Sequence, residues 1–97
     1  MYTIPEIRSA FLPVFEKYNV RKAILFGSYA KNNATEQSDI DIMVDTQLRG
    51  LRFFGFLEEL CNSVNCTVEC IDSQDIVENS VADREIKNTG VLLYECA

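Results

Sequence analysis

Asp39 and Asp41 stand one residue apart in "SDIDIMV", and eleven residues upstream of Asp39 comes Ser28, preceded by Gly27, in "LFGSYA". In a β-strand, residues two apart share a face with their Cα atoms roughly 6.5–7 Å apart. Two carboxylates converging there repel each other unless a cation or donor lies between them. A divalent metal removes that penalty. Mg²⁺ takes hard oxygen ligands in octahedral geometry at ~2.0–2.1 Å and shares them with substrate phosphates. Acidic pairs on exposed strand faces are common, so this spacing alone carries little weight. The preceding pair adds to it: Gly27 lets backbone approach a ligand closely, and Ser28 offers a hydroxyl at the start of what reads as a short helix, where free N–H groups bind phosphate. Strand, Gly-Ser, short helix, loop and acidic strand together describe a phosphate cradle beside a metal seat.

The elements around these residues follow from periodicity. "TIPEIRSAFLPVFEKY" has Thr3 three residues before Glu6, a capping-box pattern, with Pro5 in the first turn. Ile4, Ile7, Phe11, Val14, Phe15 and Tyr18 recur at helical spacing, predicting a helix from Ile4 to Tyr18 that Pro13 could kink. "VRKAILFG" reads as a strand ending at Gly27, "SYAKNNA" as one or two helical turns, and "TEQS" as a loop. "DIDIMVD" alternates strictly, with Ile40, Ile42 and Val44 on one face and Asp39, Asp41 and Met43 on the other. A second long helix carries Leu51, Phe54, Leu57, Leu60, Cys61 and Val64. "CTVECID" is a third strand, and "SQDIVENSVADREIKN" one or two short helices ending near Thr89-Gly90, where Gly90 suits a C-terminal cap. "VLLYECA" closes the chain as a strand or docked tail. The order predicts one α/β (α+β) domain over residues 1–97, a small mixed sheet packed with helices. Phe53, Phe54 and Phe56 cannot all face one core, and the spacing leaves Phe53 exposed. Such an aromatic can mark a partner or homodimer surface.

Composition narrows the function. The net charge is −6, and the sequence pI is about 4.5. An acidic chain is poorly suited to nucleic acid, where phosphate neutralisation supplies most of the affinity, or to an anionic membrane surface. No apolar window is long enough to span a bilayer, and "MYTIPEIRSAF" lacks the basic and apolar regions of a signal peptide, so a cytoplasmic location is expected. Cys61, Cys66, Cys70 and Cys96 are then expected as thiols, acting as small buried hydrophobes. Without histidine or a C-x-x-C pair, a zinc site is disfavoured.

"GSYAKNNATEQSDIDIMV" resembles the signature of the minimal nucleotidyltransferases of the DNA polymerase beta superfamily: Gly-Ser-x-Ala-Arg-Gly, a spacer with a small residue, then Ser-Asp-Ile-Asp-Leu. Gly27, Ser28, Ala30, Ala34, Ser38, Asp39, Ile40 and Asp41 match, and the opening helix and closing "GVLLYE" fit the same minimal domain. The resemblance implies the polymerase beta-like fold and Mg²⁺-dependent transfer of a nucleotide, AMP from ATP. It implies Asp39, Asp41 and a third carboxylate as catalytic metal ligands, with two ions, and Gly27, Ser28, Lys31 and Ser38 as nucleotide-binding residues. In "TVECID", Glu69 stands where the family has an Asp, and alternation turns Asp72 to the other face. Two departures stand out: Lys31 replaces an Arg, keeping charge without the planar fork, and Asn32 replaces a Gly, though Asn tolerates a left-handed backbone.

The resemblance also implies a partner. Minimal nucleotidyltransferases are often paired with a helical HEPN-domain protein and act as antitoxins, in some systems by attaching AMP to a tyrosine of the toxin. Two functions follow for this chain: an active transferase that modifies such a partner, or a module that neutralises it by contact alone, its chemistry weakened at Glu69 and Lys31. The intact Gly27, Ser28, Asp39 and Asp41 favour the first.

Overall fold

The structure, a computed structural model, describes residues 1–96. It opens with α1, Ile4–Lys17. Thr3 and Glu6 form the reciprocal capping box: the Glu6 amide donates to Thr3 Oγ1 at 3.2 Å, and the Thr3 amide donates to Glu6 Oε1 at 2.8 Å. Ile7, Phe11, Val14 and Phe15 form its buried stripe. Pro13 lies within the helix on the exposed side, so its ring costs a backbone hydrogen bond without ending the element.

The sheet is built from β1 (Lys22–Phe26), β2 (Ile40–Asp45), β3 (Val68–Asp72) and β4 (Val91–Glu95), in the spatial order β3-β2-β1-β4. β1 runs antiparallel to both of its neighbours, whereas β2 and β3 are parallel. A parallel pair needs a crossover, and α2 (Leu51–Asn62) supplies it. A 3₁₀ turn over Ser73–Asp75 and helix α3 (Val81–Thr89) complete the chain before β4. The hydrophobic core joins Ile40, Ile42 and Val44 of β2 and Ala23 and Leu25 of β1 to Phe11, Phe15, Phe56 and Leu60 from α1 and α2. Burying an aromatic side chain such as Phe15 is worth about 1.5–3 kcal/mol. α3 follows the other face: a cavity of about 240 Å³ is lined by Ala82 of α3 with Phe26, Glu69, Cys70 and Ile71. The fold is thus the mixed α/β arrangement that the periodicity predicts.

Local readings differ from the structure in several places. Residues 28–32 form a series of turns instead of a helix, because Asn32 takes φ +60 and breaks the run after one turn. β2 begins at Ile40, so Asp39 lies in the approach to the strand and not within it. On α2 the buried stripe runs through Phe56 and Leu60, with Phe53 packed beside them; Phe54 is 66% exposed and Leu51 88%. The apolar phase of that helix is therefore set by Phe53, Phe56 and Leu60, and the exposed aromatic is Phe54, not Phe53. Gly90 does follow α3, but with φ −62; glycine is needed there because a Cβ would press on Ile24 Cγ2 and the Ile86 carbonyl oxygen. All four cysteines are free thiols; Cys61, Cys66 and Cys70 are half-buried against the core and Cys96 is exposed, so none is fully buried. No helix among the described residues is long and apolar enough to cross a membrane.

Candidate active site

Three strands bring Phe26, Asp41 and Glu69 into one row. Phe26 pairs with Asp41 across the antiparallel β1–β2 ladder, and Asp41 pairs with Glu69 across the parallel β2–β3 ladder. Ile40, Ile42 and Val44 of β2 and Val68 of β3 are buried on the core face, so strand alternation sends both carboxylates to the opposite face. Asp72 takes the core side of β3. It is 4% exposed, accepts the Thr46 hydroxyl at 2.7 Å, and accepts the Gln74 amide at 3.2 Å. Asp72 is thereby committed to holding the end of β3 and the following turn.

Gly27 lies directly against this row. Its φ of +75 is a conformation that side chains rarely adopt, and a Cβ there would collide with Asp41 Oδ2. The turn that follows is closed by backbone bonds from the Lys31 amide to the Gly27 carbonyl at 3.1 Å and from Asn33 to Ser28 at 3.0 Å. Buried Tyr29 ties the turn to the core. Among the described residues the amides of Ser28, Tyr29 and Ala30 donate to no backbone carbonyl, so this turn leaves N–H groups without backbone partners although it is not a helix. Ser38 closes the loop ahead of Asp39: its hydroxyl oxygen accepts from the Thr35 amide at 2.8 Å, and its own amide donates to the Thr35 carbonyl at 3.1 Å.

Burial and neighbouring negative charge act together on Asp41. Burial first, then the hydrogen bond and charge of Glu69, with Asp39 and Glu85 behind them, push the Asp41 carboxyl up to about 7. Glu85, on α3, is a residue that sequence reasoning missed. Its signal was its place on the inner side of α3, between Ala82 and Ile86, both half-buried. It holds Lys31 in an ion pair of 2.6 Å.

The donor set is all carboxylate oxygen, the chemistry that suits Mg²⁺, and the crowding around Asp41 is the kind a divalent cation relieves. Among the described residues, no group of three or more His, Cys, Asp or Glu side chains is drawn together tightly enough to hold an ion. Asp41 and Glu69 are brought side by side, and Asp39 adds its charge from the strand approach.

The family model described as polymerase beta, nucleotidyltransferase, matches residues 11–96, almost the whole chain. The chain belongs to the polymerase beta nucleotidyltransferase family. It is similar to the protein adenylyltransferase MntA of Thermococcus cleftensis, at 39% identity over 64 residues, covering 61% of this chain and 65% of that protein. Other matches are to Methanocaldococcus jannaschii proteins provisionally named protein adenylyltransferases; for three of them the chain spans 45%, 31% and 50% of the relative's length. Among solved structures, a toxin-antitoxin crystal structure with AMP-PNP superposes with a TM-score of 0.76 at 19% identity, covering 92% of this chain and 73% of the other. A complex of tri-AMPylated Shewanella oneidensis HEPN toxin with MNT antitoxin gives a TM-score of 0.71 at 17% identity, covering 97% and 74%. At such identities the likeness establishes the fold alone. Family membership implies a nucleotide substrate and a divalent metal.

Proposed function

We propose that this chain transfers AMP from ATP to a hydroxyl on a HEPN-type toxin and so acts as its antitoxin. The observation that carries the transferase half is the Gly27–Asp41–Glu69 arrangement: a glycine that only a bare backbone can fill, pressed against a carboxylate that shares its charge with a second one. The partner half is supported by the resemblance to a protein adenylyltransferase and by the fold shared with an antitoxin bound to an AMPylated HEPN toxin.

Asp39, Asp41 and Glu69 would hold Mg²⁺ once the ion draws the three side chains together. The bound metal would neutralise charge on the triphosphate and on the departing pyrophosphate. The Gly27–Ser28 turn presents N–H groups and a hydroxyl to the outer phosphates, with Lys31 at the end of the same turn. Ser38 holds the loop that delivers Asp39. The acceptor oxygen forms its bond to the α-phosphorus as the bond to the bridging oxygen breaks. Pyrophosphate leaves, and the acceptor's proton passes to a carboxylate of the Asp41–Glu69 pair. Positioning and charge neutralisation supply most of the rate in such chemistry.

The competing reading, neutralisation by contact alone, draws on Lys31 being engaged by Glu85 and on there being, among the described residues, no group of three carboxylates close enough to hold an ion. Incubation with labelled ATP, Mg²⁺ and the HEPN partner separates the two. Label on the partner supports transfer, and an unlabelled but neutralised partner supports contact alone.

A further inference from the structure

Lys31 is the one cation on the candidate phosphate turn, and it is already spoken for. Its amide closes the turn on the Gly27 carbonyl, which fixes its backbone within reach of the cradle. Its Nζ, however, is drawn across to α3, 2.6 Å from Glu85 Oε1, over a cavity of about 210 Å³ that Val81, Arg84, Asn88 and Thr89 help to line. Both side chains are part-exposed, at 38% and 28%, so the pair can open into solvent. The Glu85 carboxylate also lies near enough to Asp41 to help push its carboxyl up, behind burial, Glu69 and Asp39. Glu85 thus does two things at once: it withholds the cradle's cation, and it adds a negative charge beside the acidic row.

We infer that the Lys31–Glu85 ion pair is a latch that competes with the nucleotide's phosphates, so that Glu85 lowers affinity for a nucleoside triphosphate and discriminates against one that arrives without its metal. This rests on the proposed nucleotidyltransferase site. A phosphate must draw the ammonium off Glu85 before Lys31 can serve it, and a bare triphosphate meets the full repulsion of Glu85 as well. A metal-loaded triphosphate carries less charge and loses less. A part-exposed ion pair is worth up to about 1 kcal/mol, which corresponds to about a five-fold change in binding.

The test is a binding cycle on the full chain, read as ATP affinity by calorimetry with Mg²⁺ and with EDTA. The variants are Glu85→Gln, Lys31→Gln and the double variant, each checked for an unchanged melting temperature. Glu85→Gln is expected to tighten ATP about two- to five-fold, more in EDTA than in Mg²⁺. Lys31→Gln is expected to weaken it, and most of the Glu85→Gln gain should vanish in the Lys31→Gln background. Unchanged or weaker binding in Glu85→Gln overturns the latch. So does a gain that survives intact without Lys31, which would make Glu85 a source of general repulsion. Wild-type chain that binds no ATP even with Mg²⁺ overturns the underlying site reading as well, an outcome distinct from a binding chain whose cycle shows no coupling.

Discussion

The Asp41 carboxylate rests against Gly27 so closely that a β-carbon on residue 27 would occupy the space of Oδ2. The two positions are therefore coupled: the glycine leaves room for the acid, and its left-handed backbone leads the chain into the turn over residues 28–32. Gly27→Ala should cost about 2 kcal/mol or more, from the positive φ together with displacement of the carboxylate. Urea unfolding reads the loss, and ATP binding should fall with it. An alanine variant with the wild-type midpoint would show that the backbone there relaxes freely.

Asp41 ties stability to pH. Its carboxyl titrates near 7 in the folded chain, well above its unfolded value, so the folded state holds the proton more tightly. The associated stability is complete below about pH 4 and is lost as pH rises through about 7. The metal-free protein should be more stable at pH 5 than at pH 8, by about 1 kcal/mol once solvent screening of this half-buried group is allowed for. Asp41→Asn should flatten the profile and raise the melting temperature at pH 8. Equal slopes in both proteins would place the titrating group elsewhere.

Glu69 and Asp72 lie on one strand and should fail in opposite ways. Asp72 is buried and accepts the Thr46 hydroxyl, so Asp72→Asn should cost about 1–3 kcal/mol while leaving transfer intact at permissive temperature. Glu69→Gln should keep or raise stability, because it removes a charge that presses on Asp41, and should lose transfer. Paired melting and labelled-ATP assays check this. A folded Asp72→Asn without transfer would move the third carboxylate to Asp72.

Pro13 offers a test remote from the site. Inside α1 and exposed, it removes one helical hydrogen bond, so Pro13→Ala should stabilise the chain by about 1–3 kcal/mol without changing ATP affinity. A loss of stability in calorimetric melting would mean that the helix is shaped around the proline.

Much of this arrangement was legible in the residues because local rules and burial agreed. Thr3 and Glu6 announce the start of α1, and the alternation of Ile40, Ile42 and Val44 fixes which face of β2 carries Asp41. The same alternation separates Glu69 from Asp72. Legibility failed where packing chose among equivalent patterns. On α2, Phe53 and Phe54 differ by a single position, and only the placement of the helix on the sheet decides which is buried. "SYAKNNA" has helix-compatible residues, but Asn32 in a left-handed conformation ends the run. Asp39 continues the alternation by type, yet the ladder starts one residue later. Strand order, and with it the approach of Glu85 from α3, depends on contacts far apart in sequence that no local pattern encodes.

Intact-mass measurement of the proposed HEPN partner after co-expression with this chain reads the transfer of AMP at its product. Expected is a partner heavier by one or more AMP groups, with the adduct absent when Asp39→Ala and Asp41→Ala are combined. A partner of unmodified mass that the double variant still neutralises would contradict transfer and leave contact alone as the means of neutralisation.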